Sequence, residues 1–284
     1  MWHIMIDTLA DSVQMIPFLF LAYFMIEYME NKASDGLKKI LMGSGKYGPI
    51  GGSFLGSFPQ CGFSVAAANL YAERFITKGT LLAVFLATSD EAIPIFLANQ
   101  SSGRIIFSLL AIKIMIALIF GFLVDFVDTR CFKNDATIAT APQSQLCKSC
   151  NCKENILLAA IKHTMTIFLF ILVVSFILNS VIYLLGEVRL SKLLMTNTPF
   201  QPMIAGLFGL IPNCAASVVL TQLYLSGSIS LGSTVAGLST GAGIGLAVLF
   251  RTNSNQRENL KILALLYFIG AACGMIIQYL GIVL

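Results

Sequence analysis

Two cysteines stand in matching surroundings. Cys61 lies in Ser57-Phe58-Pro59-Gln60-Cys61-Gly62-Phe63-Ser64 and Cys214 in Leu210-Ile211-Pro212-Asn213-Cys214-Ala215-Ala216-Ser217, 153 positions later. A proline just before the cysteine breaks a helix. The break frees backbone carbonyls upstream and exposes the amide donors of the half-helix downstream, whose positive dipole end favours an anion or electron-rich ligand. The thiol adds a soft ligand at the same spot, suited to Cu(I), zinc or a trivalent metalloid. One such motif reads most simply as a small buried hydrophobe beside a kink; two copies at matching places favour the ligand reading. Pro59, Gln60, Cys61, Ser64, Pro212, Asn213, Cys214 and Ser217 are therefore the expected substrate site, with Gln60 and Asn213 adding amide contacts.

Ser89-Asp90-Glu91 falls in the middle of an apolar run that continues through Pro94. A carboxylate at membrane depth costs roughly 2.5 kcal/mol or more on insertion scales. Desolvation and mutual repulsion favour protonation of such a pair, which suits it to carrying a proton. Lys113, in the next apolar run, offers the matching cation. Counted from the outer ends at about 1.5 Å per residue, Glu91 lies about 9 Å deep and Lys113 about 12 Å, so the two can meet. Asp90, Glu91 and Lys113 are the expected proton-coupling group; the alternative is a static buried ion pair that fixes helix packing.

A third set of thiols, Cys147, Cys150 and Cys152, preceded by Cys131, sits in the polar connection Asp128 to Asn155. The C-x2-C-x-C spacing suits capture of a soft metal by three thiolates, with Cys131 able to complete four. On a reducing cytoplasmic loop these cysteines could collect an ion and hand it to the pore. His3 and His163 read as interfacial residues. Gln14, Glu27 and Asn179 are polar groups in or near apolar runs, able to bond between helices.

The elements that must position these residues are membrane helices. The chain is 57% hydrophobic and 11% charged, with a mean hydropathy of +0.83, far from the composition of a soluble domain. Asp7 and Asp11 without a nearby Lys or Arg leave no basic leader, so no cleavable signal is expected. In a membrane chain the net charge of +4 reports topology rather than nucleic-acid binding. Seven cysteines, an odd number, do not form a secreted disulfide framework. No P-loop, dinucleotide or zincin motif is present, so neither an enzyme nor a bound cofactor is expected.

Runs long enough to cross a bilayer, about 20 residues, occur near 12–29, 80–98, 105–126, 163–185, 230–250 and 260–283. Two further runs, 48–72 and 202–226, carry the Pro-x-Cys motifs and are broken by Gly and Pro. Gapless alignment of Pro59 to Ala83 with Pro212 to Ala236 gives nine identities in 25 positions, and Pro49/Pro202 and Gly56/Gly209 keep the same offset. If the motif runs are re-entrant hairpins, loop and helix-end Lys/Arg divide 14 inside to 3 outside; if every run crosses, they divide 10 to 7. The positive-inside rule favours the hairpins. Each half then crosses three times and the halves are inverted.

The expected fold is thus an all-α polytopic membrane protein of two inverted repeats, each about three spanning helices plus one broken or re-entrant hairpin. The first repeat is 1–127, a cytoplasmic Cys-containing linker is 128–155, and the second repeat is 156–284, with the N-terminus outside. The Gly237 to Gly245 stretch equivalent to the carboxylate run has no charge, only small residues and two hydroxyls, which allow close packing or leave room for a cargo.

The paired motifs, the Thr88-Ser89-Asp90-Glu91-Ala92-Ile93-Pro94 run and the Cys-bearing central loop resemble the ten-transmembrane arsenic or heavy-metal efflux permeases over nearly the whole chain. The resemblance implies an inner-membrane permease exporting a thiophilic metal or metalloid, with Pro59, Gln60, Cys61, Asp90, Glu91, Pro212, Asn213 and Cys214 at the motif positions. Six spans and two hairpins make ten apolar pieces when each half-helix is counted. The expected partners are the bilayer and a small ion or metalloid, with homo-oligomerisation left open. A second transporter reading keeps the fold and binds an organic or inorganic anion at the half-helix N-termini. A redox carrier would want a C-x-x-C inside the membrane, which the chain lacks, and a metal sensor would leave the membrane carboxylates unexplained.

Overall fold

The structure, a computed structural model, describes residues 47–58, 61–88, 92–98, 103–131 and 199–281, with scattered helical positions at 16–17, 20–21, 24 and between 161 and 176. Among the described residues there is no strand. Ten helices are described in full. The first five are α1 (Gly48–Gly56), α2 (Cys61–Ala72), α3 (Lys78–Ala87), α4 (Ala92–Ala98) and α5 (Gly103–Cys131). The second five are α6 (Gln201–Gly209), α7 (Cys214–Leu225), α8 (Leu231–Thr240), α9 (Ile244–Thr252) and α10 (Gln256–Tyr279).

The first three helices of each set begin and end at the same places once the 153-residue offset is applied, and α5 and α10 begin at equivalent residues, Gly103 and Gln256. The local causes recur too. Thr77 and Ser230 cap α3 and α8, each hydroxyl accepting from the amide three residues on. Asp125 accepts from the Thr77 hydroxyl at 2.7 Å, and its counterpart Gln278 accepts from the Ser230 hydroxyl at 3.0 Å. Packing repeats in the same way: α3 lies between α1 and α5, as α8 lies between α6 and α10.

Within each half the helices touch through glycines, the means by which helices approach closely where lipid removes most of the hydrophobic drive. A Cβ on Gly56 would run into the Val84 carbonyl and Ala87; on Gly209 it would run into the Gly237 carbonyl and Thr240, the equivalent atoms. Gly121 and Gly274 repeat this against Gly79 and Gly232. Gly209→Ala is therefore expected to destabilise the protein by about 1–3 kcal/mol through overpacking. A lowered apparent melting temperature in detergent checks this, with Gly51→Ala as the control, since open space surrounds Gly51.

Between the halves the packing is exchanged. Helix α2 packs on α9, and its counterpart α7 packs on α4, the counterpart of α9. All of α8, and all of α3 beyond its first residue, are buried at the centre. Outside them, α5 exposes Phe107, Met115, Ile119 and Phe122, and α10 exposes Leu260, Leu265 and Phe268. Among the described residues those apolar faces have no protein partner, and they suit a lipid environment.

Helices α5 and α10 are long and apolar enough to span a bilayer; the 29 residues of α5 reach about 43 Å. They run antiparallel. The end of α5 and the start of α10 share Lys78, which lies 3.1 Å from Asp128 and 3.6 Å from Glu258. At the other end, Ile105 of α5 and Gln278 of α10 line one cavity.

Two expectations need correction. The run 80–98 is not one helix: α3 ends at Ala87, Thr88 takes a ψ of 125°, and α4 starts at Ala92. The run 230–250 keeps its expected reach, Leu231–Thr252 being long and apolar enough to cross a membrane, but it is interrupted within, because Gly243 adopts φ 55° and ψ −146°, a region essentially reserved for glycine. Both interruptions lie inside protein, where neighbouring chain can serve the freed backbone groups. The run 105–126 is one helix as expected, and 260–283 corresponds to α10, which starts four residues earlier.

Candidate transport site

Four interruptions have now appeared, two in each half, and side-chain and backbone contacts draw them together. The first turn of α2 meets the first turn of α9: a Cβ on Gly245 would lie 2.8 Å from the Cβ and carbonyl carbon of Ser64. The end of α8 is tied to the end of α6 by the Thr240 hydroxyl, which donates to the Gly206 carbonyl at 2.8 Å. Lys113, fully buried in α5, links the ends of α3 and α8. Its ammonium donates to the Thr88 carbonyl and, at 2.9 Å, to the Leu238 carbonyl. Helix C-termini carry partial negative charge, so a cation is stabilised where two of them converge.

Helices α2 and α7 begin at Cys61 and Cys214. Asn213 is buried and extended, with φ −150° and ψ 142°. It holds the N-cap position of α7, yet its side chain makes no capping bond. Pro212 is half-buried beside it. Ser64 is fully buried against α9, whereas Ser217 is half-buried and its carbonyl accepts from the Thr221 hydroxyl at 2.7 Å.

Of the expected substrate residues, the structure thus positions Ser64, Pro212, Asn213, Ser217 and the backbones of Cys61 and Cys214 at helix breaks. The thiol groups of Cys61 and Cys214 lie outside the described residues, as do Pro59, Gln60, Asp90, Glu91 and the linker cysteines Cys147, Cys150 and Cys152. Among the described residues no cluster of three His, Cys, Asp or Glu could hold a metal. Lys113 reaches the Thr88 carbonyl, three residues before Glu91 in the sequence.

One polar group at the site, Asn69, escaped the sequence reading, and two that it noted take different parts. The two hydroxyls of the Gly237 to Gly245 stretch divide their tasks. Thr240 closes a packing contact, while the Ser239 hydroxyl is buried without a hydrogen-bond partner. On α2, two turns past Cys61, the buried Asn69 leaves both amide atoms without partners. Unsatisfied buried polar groups are rare and call for an explanation; both of these lie on helices that adjoin a break. The signal for Asn69 was an amide among Ala and Val on an otherwise apolar helix.

Charged residues also gather away from the breaks. Glu258, at the start of α10, accepts from Arg74 at 2.9 and 2.8 Å in bidentate fashion and from the Tyr71 hydroxyl. Arg74 lies 5.4 Å from the centre of the Tyr71 ring. The hydrogen-bonded carboxylate raises the Arg74 guanidinium above its ordinary range. This cluster joins the loop after α2 in the first half to α10 in the second.

One family profile matches the chain in two overlapping pieces, residues 2–188 and 179–282; it carries the description "Putative, 10TM heavy-metal exporter". No curated protein matches, and no solved structure does.

Proposed function

The chain belongs to that family of ten-span heavy-metal exporters, and on this premise we propose that it is a secondary transporter exporting a thiophilic metal or metalloid, an arsenic(III) species or a heavy metal. The observation that carries the proposal is the pair of helices that start at Cys61 and Cys214, at breaks equivalent in the two halves. Soft thiolates there bind the cargo, and Pro59, Gln60, Ser64, Pro212, Asn213 and Ser217 shape the pocket around it. Ser239 and Asn69 offer it further polar contacts. Asp90, Glu91 and Lys113 carry the proton coupling, and Cys147, Cys150 and Cys152 on the cytoplasmic linker deliver the ion.

In this reading residues 1–127 and 156–284 are inverted repeats joined by 128–155, in the inner (plasma) membrane with the N-terminus outside. The antiparallel course of α5 and α10, which are repeat counterparts, supports the inversion. Inverted repeats with broken helices at the midplane give alternating access by rocking one bundle against the other.

Purified protein in inverted vesicles, presented in turn with arsenite, a methylated arsenic(III) species, zinc and copper(I), with and without a pH gradient, tests the proposal. One of these is expected to accumulate, and faster with the gradient. If correctly inserted protein accumulates none of them, the soft-ion reading fails. The second reading, an organic or inorganic anion bound at the starts of α2 and α7, then takes its place, favoured by the buried cation Lys113.

A further inference from the structure

We propose that the Arg74–Glu258 cluster and the cavity beside Gly227 are two gates at equivalent positions of the two repeats, the first shut and the second open. The inference rests on the transport reading, and it is carried by a comparison of the two ends of the fold. At one end the loop before α3 is plugged by charge: Arg74 and Lys78 reach Glu258, and Lys78 also reaches Asp128. Moving each residue by 153 positions exchanges Arg74 for Gly227, Lys78 for Leu231 and Asp128 for Gly281, while Glu258 corresponds to Ile105. Those four counterparts line a cavity of about 460 Å³.

The scaffold around the plug is the same at both ends. Arg74 has φ 63° and Gly227 φ 70°, both left-handed, so the loop takes one shape with or without the side chain. Tyr71 and Tyr224 occupy equivalent places, as do the capping pairs Thr77 with Asp125 and Ser230 with Gln278. What differs is the filling. Four charged side chains bridge the gap at one end; two glycines, a leucine and an isoleucine fail to bridge it at the other.

The two ends are also far apart. Ile105 and Asp128 are separated along α5 by about 35 Å at 1.5 Å per residue, so the cluster and the cavity belong to opposite faces. The charge count of the loops assigns the cluster to the cytoplasmic face and the cavity to the external one. Reversal requires Glu258 to leave Arg74, Lys78 and Tyr71, while Ile105 and Leu231 close on each other. One gate is ionic and the other is a dry apolar contact.

Labelling of the full chain in vesicles by a small maleimide, read peptide by peptide in a mass spectrometer so that native cysteines do not interfere, tests this. The reporters are Ala72→Cys beside the cluster and its counterpart Leu225→Cys, an exposed position that lines the cavity. The Leu225→Cys reporter is expected to label at least fivefold faster than the Ala72→Cys reporter. Glu258→Gln, which releases the ionic gate, is expected to reverse that order. A second variant, Ile105→Glu with Gly227→Arg, builds the missing ion pair into the cavity without removing any bond; it is expected to protect the cavity reporter and expose the one beside the cluster. Equal labelling of the two reporters in the parent chain, or an order unchanged in both variants, overturns the proposal. The readout needs no cargo. A chain that moves no metal yet reverses its labelling keeps the gates and loses the transport reading, and a chain that transports without reversal loses only the gates.

Discussion

Lys113→Met abolishes accumulation of cargo in inverted vesicles and weakens the fold. Methionine matches the length and flexibility of the side chain and removes the charge and the donors. The Thr88 and Leu238 carbonyls are then buried without their partner, at a cost of about 1–3 kcal/mol for each stranded group. Two interruptions, one from each half, lose the group that holds them in register. The counterpart of Lys113 in α10 is Leu266, also fully buried, so the second half supplies no replacement cation. Arginine is not a substitute, because its planar fork presents donors in a geometry unlike the compact ammonium. Transport and thermal stability are measured on the same preparation. A Lys113→Met protein that transports at the parent rate removes Lys113 from the mechanism. One that melts early yet transports when folded reduces the residue to a packing device.

Cys61→Ser combined with Cys214→Ser eliminates transport of a soft ion while leaving the fold intact. Serine is nearly isosteric, so α2 and α7 still start where they do, but a hydroxyl is a hard, protonated ligand with little affinity for Cu(I) or a trivalent metalloid. The loss from each single replacement should exceed the roughly 10- to 100-fold that an outer-shell partner of a metal ligand is worth, and the double variant should reach background. Cys273→Ala is the matched control: that thiol is buried in the middle of α10 and does not itself stand at a helix break. The triple change Cys147→Ser, Cys150→Ser, Cys152→Ser is expected to slow delivery at low cargo concentration and to spare the rate at saturation. Retention of transport by the Cys61, Cys214 double variant shifts the assignment to an anion carrier in which those thiols are structural.

The repeat was legible in the sequence because its marks are proline, cysteine and glycine, residues held by backbone geometry and close approach rather than by general apolar character. Gly56/Gly209 and Pro49/Pro202 belonged to that signal, and the structure shows why: each glycine lies under a carbonyl of the next helix but one. Gly121/Gly274 carries the same offset and went unread, since apolar side chains facing lipid are freely exchangeable and obscure the alignment around it. The interruption at Gly243 had a visible cause in Gly241-Ala242-Gly243, yet the apolar run was long enough to read as one span. At Thr88 there is no glycine, and Pro94 lies beyond the break, so hydropathy alone suggested a continuous helix. Lys113 could be picked out by residue type, as a cation within an apolar run. Its carbonyl partners could not, because one of them lies 125 positions away in the second half. Glu258 escaped for the same reason: its bidentate partner is 184 positions distant, and pairing at that range has no local signature.

The exchange of α2 onto α9 and of α7 onto α4 has a consequence for how the protein is made. When the ribosome has completed the first half, the chain that will cover α2 and α4 does not yet exist. Neither helix can reach its final neighbours, and α3 must wait for α8. The first half therefore enters the membrane as an unfinished bundle, exposed to chaperones and proteases until synthesis has passed Thr252, the end of α9. A premature stop in the second half thus denies the first half its partners as well as truncating the product. Two separately encoded halves would persist in the membrane only when both are made together.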